Sequence, residues 1–259
     1  MRNIITIGFI SFLIVFSSFY ATHKSTYKIR KVVIDAGHGG KDPGCHGKSH
    51  KEAEIALKVA LELGSIIKTE LSDVKVIYTR DKNEFIELHD RAGMANKNNA
   101  DLFISIHCNS GNPKANGHET YTMGLHTSQG NLEVAKRENS VVLQEDNYLE
   151  KYDGFDPNSP IAHILFSNFQ NAFIDNSLHF ASKVEDQLEE KAGHKSRGVK
   201  QAGFLVLWKT TMPSALIEIG YLTNAEEEKF LSDKSNQHNI AAGIFQAFKE
   251  YKDQMEKSN

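Results

Sequence analysis

Cysteine is scarce in this chain: 259 residues carry only Cys45 and Cys108. Two cysteines cannot staple a domain of this size, so the sequence is no disulfide scaffold and must fold on an apolar core. Whether these two pair with each other is left open. Long Lys/Arg blocks are also missing, and the formal net charge is −3. That balance excludes a nucleic-acid binder working through a basic face. There is no internal repeat and no low-complexity linker, which argues against a string of separate modules. Charge itself is absent from one place, the stretch between Arg2 and His23 that reads IITIGFISFLIVFSSFYAT. A basic start, an apolar run and small residues at Ser17, Ser18 and Ala21 describe a secretory signal peptide. A clear A-x-A site is lacking, however, and about 18 apolar residues also suffice to cross a bilayer. A cleaved signal and a retained anchor therefore both stand for residues 1–26, and either implies export.

What remains is ordinary for one soluble domain: 40% hydrophobic and 24% charged residues. Residues 27–255 are expected to form it. KVVID (31–35), KVIYTR (75–80), DLFISIH (101–107), HETYTM (118–123) and SALIEIG (214–220) read as strands. Residues 52–71 and 84–99 read as helices between them, and the tail from 226 onward as two more. Strand alternating with helix predicts an α/β fold with a largely parallel or mixed sheet. The rhythm breaks between 125 and 195. There one helix is expected over 131–146, and one long helix from Ser159 as N-cap, with Pro160 first, to Gly193 beyond its end. The economical reading is one domain with a helical insertion at 125–195.

Three apolar strands run into chemistry. KVVID leads to His38, DLFISIH ends on His107, and SALIEIG carries Glu218. Ligands in open α/β sheets bind beyond the carboxyl ends of the strands, so these groups can converge. Glu52 or Glu54, at the start of the following helix, is a fourth candidate. Two histidines, a carboxylate and an open position make a catalytic zinc site. Such a metal lowers the pKa of water to roughly 7, and a further carboxylate must carry the proton to a leaving nitrogen. Glu218 suits that task, with Ile217 and Ile219 facing the other way. Taken singly, each of these residues reads as structural, and there is no local H-E-x-x-H signature.

The blocks KVVIDAGHGGKDPG, EAEIAL, ADLFISIHCNS, RGVKQAGFLVL and MPSALIEIGYLTN, in this order, resemble the N-acetylmuramoyl-L-alanine amidases of the family-3 type over nearly all of residues 30–250. The resemblance implies a twisted sheet of about six strands flanked by helices. It implies Zn2+ on His38, Glu52 and His107, with Glu218 as the catalytic carboxylate. Glu52 is preferred to Glu54 because it opens the E-x-x-x-x-L pattern ending at Leu57. The implied reaction is hydrolysis of the amide between the lactyl group of N-acetylmuramic acid and L-alanine of the peptidoglycan stem peptide. It would serve cell-wall turnover or daughter-cell separation in the periplasm or cell envelope. Residues 131–192 resemble the helical region of regulated, cell-division members, in which a glutamate caps the metal until an activator protein moves it. Glu138 is the expected cap, with Glu145 second; a plain surface elaboration shaping the groove is the alternative. Rival functions are a zinc peptidase cutting within the stem peptide and a non-catalytic wall-binding regulator. A monomer is expected, touching membrane only through an uncleaved N-terminus. Other groups are expected to be structural or solvated: His46 and His50 in their loop, His118, Asp90 and Arg91, and the EEEK helix start at 226–229. Cys108 is expected to point away from the metal.

Overall fold

Burial that alternates between two faces organises the molecule. The computed structural model describes residues 27–126, 128–167 and 172–258; the expected signal or anchor at residues 1–26 lies outside them. Six strands, β1 (Lys31–Ala36), β2 (Lys75–Tyr78), β3 (Leu102–Asn109), β4 (His118–Met123), β5 (Ser196–Ala202) and β6 (Ser214–Tyr221), form one sheet in the order β2-β1-β3-β6-β4-β5. β1, β2, β3 and β6 are mutually parallel; β4 runs antiparallel to β6, and β5 runs parallel to β4. All eight residues of β3 and of β6 are buried, as central strands covered on both sides require.

Along β1, β3 and β6, Ile34, Ile104 and Ile217 face one core cluster, while Val33, Phe103 and Leu216 face a second. Successive strand residues point to opposite faces, so the two clusters lie on either side of the sheet. The first is covered by α1 (Glu52–Glu70), α6 (Ile174–Ala192) and α9 (Lys234–Ser258), through Val59, Val184 and Ile244 among others. The second holds α2 (Leu88–Lys97), α3 (Gln129–Asn139), a 3₁₀ turn (Ser140–Gln144) and the short helix α7 (Leu205–Trp208). Two further short helices, α4 (Tyr148–Lys151) and α5 (Pro160–Ser167), complete this second side.

Three sequence expectations change here. The single helix from Ser159 to Gly193 is two, α5 and α6, with a turn at 172–173. Ser159 and Pro160 do open α5, and Gly193 ends α6 in the left-handed region. However, Ala162 packs on the second cluster and Phe180, Val184 and Leu188 on the first, and one straight helix cannot serve both faces. The helix expected over 131–146 stops at Asn139. The Asn139 side chain is taken by Gly203 O and Leu205 N, and the tighter 3₁₀ turn then buries both Val141 and Val142. β5 had no strand signal at all, because SRGVKQA is polar and half-exposed at the sheet edge.

The EEEK run is not a solvated face either. Asn224 caps α8 (Ala225–Ser232) through Glu226 N and Glu227 N. Glu227 is buried against His194 and the amides of Gly117 and Tyr221. Glu228 accepts from the amides of Lys48, Ser49 and His50 at 2.8, 2.7 and 2.9 Å, and so holds the loop that leads into α1. Burial pushes its carboxyl up, but these amides and the His50 ring outweigh it and hold the pKa at about 2. A lowered carboxylate pKa gives stability that is complete above the unfolded value of about 4.3 and is lost as pH falls through the folded one. Glu228→Gln is therefore expected to lower the melting temperature by a few degrees at neutral pH. The gap to the parent chain should close between about pH 5 and pH 2, read by thermal unfolding across that range.

Candidate active site

The parallel strands β1 and β3 deliver two histidines to one edge of the sheet. β1 ends at Ala36, and the turn that follows puts His38 in the left-handed region at φ 60°, a costly conformation for a residue with a Cβ. Two buried arginines hold it there. Arg91 donates to Asp35 Oδ1, to Ala36 O and to His38 O, and Arg80 donates to Ala36 O, Gly37 O and Ala53 O. Arg91 is structural, as expected, and it fixes the backbone of His38. Gly37 is required by close approach, since a Cβ there would sit 2.4 Å from the His107 ring. Gly44 is required likewise, because a Cβ would meet both Glu52 and His38 at 2.6 Å.

His38 Nδ1 lies 2.7 Å from Asp42 Oδ2. Asp42 can only accept, so Nδ1 carries the proton and the Nε2 lone pair points into the site. Glu52, the first residue of α1, is fully buried. Its Oε2 accepts from Cys45 N at 2.8 Å and its Oε1 from Cys108 N at 3.0 Å. Glu52 Oε1 stands 3.0 Å from His38 Nε2 and 3.0 Å from His107 Nδ1. Glu138, near the end of α3, enters from the insertion, its Oε2 being 3.2 Å from His38 Nε2 and 3.0 Å from His107 Nδ1. One ligand atom from each of His38, Glu52, His107 and Glu138 thus lies within 4.8 Å of the others, all four residues being buried. Glu218 sits beside them, in register with His107 across β3 and β6. Its Oε1 accepts from Arg137 Nη2 at 3.1 Å, and its buried Oε2 has no hydrogen-bond partner among the described residues.

Two further buried atoms without a hydrogen-bond partner, His38 Nε2 and Glu138 Oε2, face each other in the cluster. A buried histidine nitrogen and a carboxylate oxygen at 3.2 Å, neither satisfied by the protein, call for a positive charge between them, supplied by a proton or by a metal ion. The electrostatics ask for the same thing. Burial pulls both imidazoles down, yet Glu52, Asp42 and Glu138 raise His38 well above the ordinary range, and Glu138 and Glu52 raise His107 to about 9. Two imidazole nitrogens with carboxylate oxygens are a donor set that suits zinc. Glu218 is pushed the other way. Burial raises it first; Arg137 pulls it down but Glu138 and Glu52 push it up, leaving its pKa at about 8.

The structure therefore brings His38, Glu52, His107, Glu138 and Glu218 together. Glu54 is exposed on α1. Glu145, the second cap candidate, is not in the cluster: its carboxylate accepts from Leu88 N and Tyr152 OH and so caps α2, whose own N-cap residue supplies no side-chain bond. The two cysteines are free thiols; Cys108 faces the opposite core cluster, and the Cys45 thiol donates to Cys108 O. His118 is buried against Glu185, and His50 bonds Glu228. Sequence reasoning missed Asp42 and Arg137. The H-x-x-x-D spacing from His38 was the available signal for the first; the second had only its place beside Glu138.

These features meet in a known class of hydrolase. The family model for N-acetylmuramoyl-L-alanine amidase matches residues 32–250. The chain is 33% identical over 219 residues to the N-acetylmuramoyl-L-alanine amidase AmiA of Escherichia coli, spanning 83% of this chain and 73% of that one. Among solved structures, an N-acetylmuramoyl-L-alanine amidase of Clostridium difficile matches at 26% identity and TM-score 0.65, covering 88% of this chain and 98% of the other. The catalytic domain of CwlV from Paenibacillus polymyxa matches at 30% identity and TM-score 0.64, covering 86% and 98%. The chain belongs to the N-acetylmuramoyl-L-alanine amidase family.

Gly37→Ala is expected to displace the His107 ring and to drop zinc content, after loading and dialysis, to background by elemental analysis. Gly111→Ala is the matched control, because a Cβ there meets only the Tyr221 ring at 3.6 Å. It should keep its metal.

Proposed function

We propose that this chain is an exported, zinc-dependent peptidoglycan amidase, held closed by its own helix α3. What carries the reading is the convergence of four buried acceptor groups beside a carboxylate, Glu218, whose second oxygen has no protein partner. His38, Glu52 and His107 would hold the zinc. When bound, that ion supplies Lewis acidity, polarising a carbonyl and acidifying water. Asp42 keeps the His38 proton on Nδ1 so that Nε2 stays a ligand. Glu218 removes the proton from the attacking water and passes it to the departing L-alanine nitrogen, a task for which it is buried on a central strand with one carboxylate oxygen free of protein partners.

The position of α3 supports a closed resting state. Glu138 takes a place among the ligands, and the neighbouring Arg137 bonds Glu218 Oε1 while also bonding Glu138 Oε1. One helix end would thus take a ligand position at the metal while it holds the base. Release needs α3 to move. The segment carrying it exposes Leu143, Leu149, Ile161 and Leu165, the last two at 68%. Apolar side chains left exposed on one segment suit a protein partner, and an activator docking there would draw α3 away. The N-terminal run at residues 1–26 delivers the domain to the periplasm or envelope as signal or anchor, where wall turnover or daughter-cell separation is the role the reaction serves.

Glu138→Ala is expected to raise basal hydrolysis of dye-labelled peptidoglycan at least several-fold with zinc content unchanged. An unchanged rate with zinc retained would remove the cap assignment. Adding Glu218→Gln to that variant should cut the rate by about 10²–10⁴-fold, again with zinc retained.

A further inference from the structure

On the sheet face that holds Glu218, the next strand carries a second buried carboxylate in a different state. Glu119 on β4 is the cross-strand partner of Glu218, which puts their Cβ atoms about 4.5–5.5 Å apart. Glu218 keeps one oxygen bare, whereas Glu119 is saturated. Its Oε1 accepts from Asn109 Nδ2 at 2.5 Å and from Tyr121 OH at 2.8 Å. Its Oε2 accepts from Arg197 Nε at 3.0 Å and from Lys200 Nζ.

One carboxylate facing two cations leaves a net positive charge, and the cations are the part that reaches solvent. The Glu119 side chain is 1% exposed; Arg197 and Lys200 are 33% and 22% exposed. Arg197 lies over the Tyr221 ring at 5.1 Å, which fixes its guanidinium plane. An ammonium has three donors, and Lys200 spends one on Glu119. Arg197 also donates from Nη1 to Asn116 O, which leaves its Nη2 unspent; a half-exposed pair anchored by a buried carboxylate, with donors to spare, is built as a platform for an anion.

We propose that Arg197 and Lys200 bind the carboxylate of the stem-peptide residue that follows L-alanine, and so set the enzyme's preference among stem peptides. The inference rests on the amidase reading. Strands lie about 4.8 Å apart, which puts β5 about 10 Å from β6. An extended peptide advances about 3.5 Å per residue. A carboxylate one residue past the scissile amide, on a peptide running from Glu218 toward β5, therefore falls over β4, one strand short of β5, where these two long side chains can meet it.

The test compares N-acetylmuramoyl-L-alanyl-D-glutamate with its counterpart in which the second-residue α-carboxylate is a carboxamide. Both meet the same α3 equilibrium, so the ratio of their kcat/KM values cancels it. The full chain should favour the acid by about tenfold or more. Lys200→Gln and Arg197→Gln should each bring that ratio toward one by raising KM for the acid, with kcat within about twofold, while Lys200→Arg keeps the preference. Hydrolysis of the carboxamide by the unchanged chain checks the amidase reading separately. The proposal is overturned if the unchanged chain shows no preference, or if the two glutamine variants lose activity equally on both substrates, as a purely structural ion pair would.

Discussion

The repulsion among buried acceptors at the edge of the sheet is the constraint that the rest of the structure serves. Glu52 Oε1 and Glu138 Oε2 each stand 3.0–3.2 Å from His38 Nε2 and His107 Nδ1, with all four residues buried. Burying charge this way is tolerable only if every other valence of these groups is satisfied. Two backbone amides hold Glu52, Asp42 holds the far nitrogen of His38, and Arg80 and Arg91 clamp the strained turn between them. The glycines at 37 and 44 leave the room. A structure arranged so thoroughly around unpaired lone pairs is arranged around a cation.

The insertion adds a second layer to that constraint. α3 brings one more carboxylate to an already anionic site and brings Arg137 with it. Burial raises the Glu138 carboxyl, yet Arg137 and His107 pull it well below its ordinary range, so it enters ionised. The same guanidinium reaches Glu218, which means that withdrawing α3 frees ligand position and base together. The Glu138 carboxylate and the Arg137 guanidinium complement the charges they meet in the site, so on the proposed reading the same electrostatics that suit a metal would also hold α3 in place. The exposed apolar residues lie not on α3 itself but on the 3₁₀ turn, α4 and α5 that follow it in the same segment.

Much of this was legible in sequence, and the failures are instructive. Apolar runs ending in His38, His107 and Glu218 announced both the parallel strands and their chemistry, because a buried strand has few reasons to finish on a titratable group. β5 was silent: an edge strand packs one row of side chains loosely, and SRGVKQA spends its polar residues on Glu119 and Glu185. The break between α5 and α6 was hidden because both helices have apolar stripes; only the tertiary fold decides that the stripes meet opposite faces of the sheet. Glu227 and Glu228 looked solvated, since nothing in EEEK announces that backbone amides of distant loops will bury them. Asp42 and Arg137 depend on turn and helix-end geometry that spacing alone does not specify.

The central claim is metal-dependent cleavage at the root of the stem peptide, and product analysis tests it most directly. Purified peptidoglycan would be incubated with the Glu138→Ala chain, with chelator, and with chelator followed by zinc, and the released fragments sequenced by mass spectrometry. The account requires peptides beginning at L-alanine, absent with chelator and restored by zinc. Fragments cut within the stem peptide, or release that ignores the chelator, would contradict it.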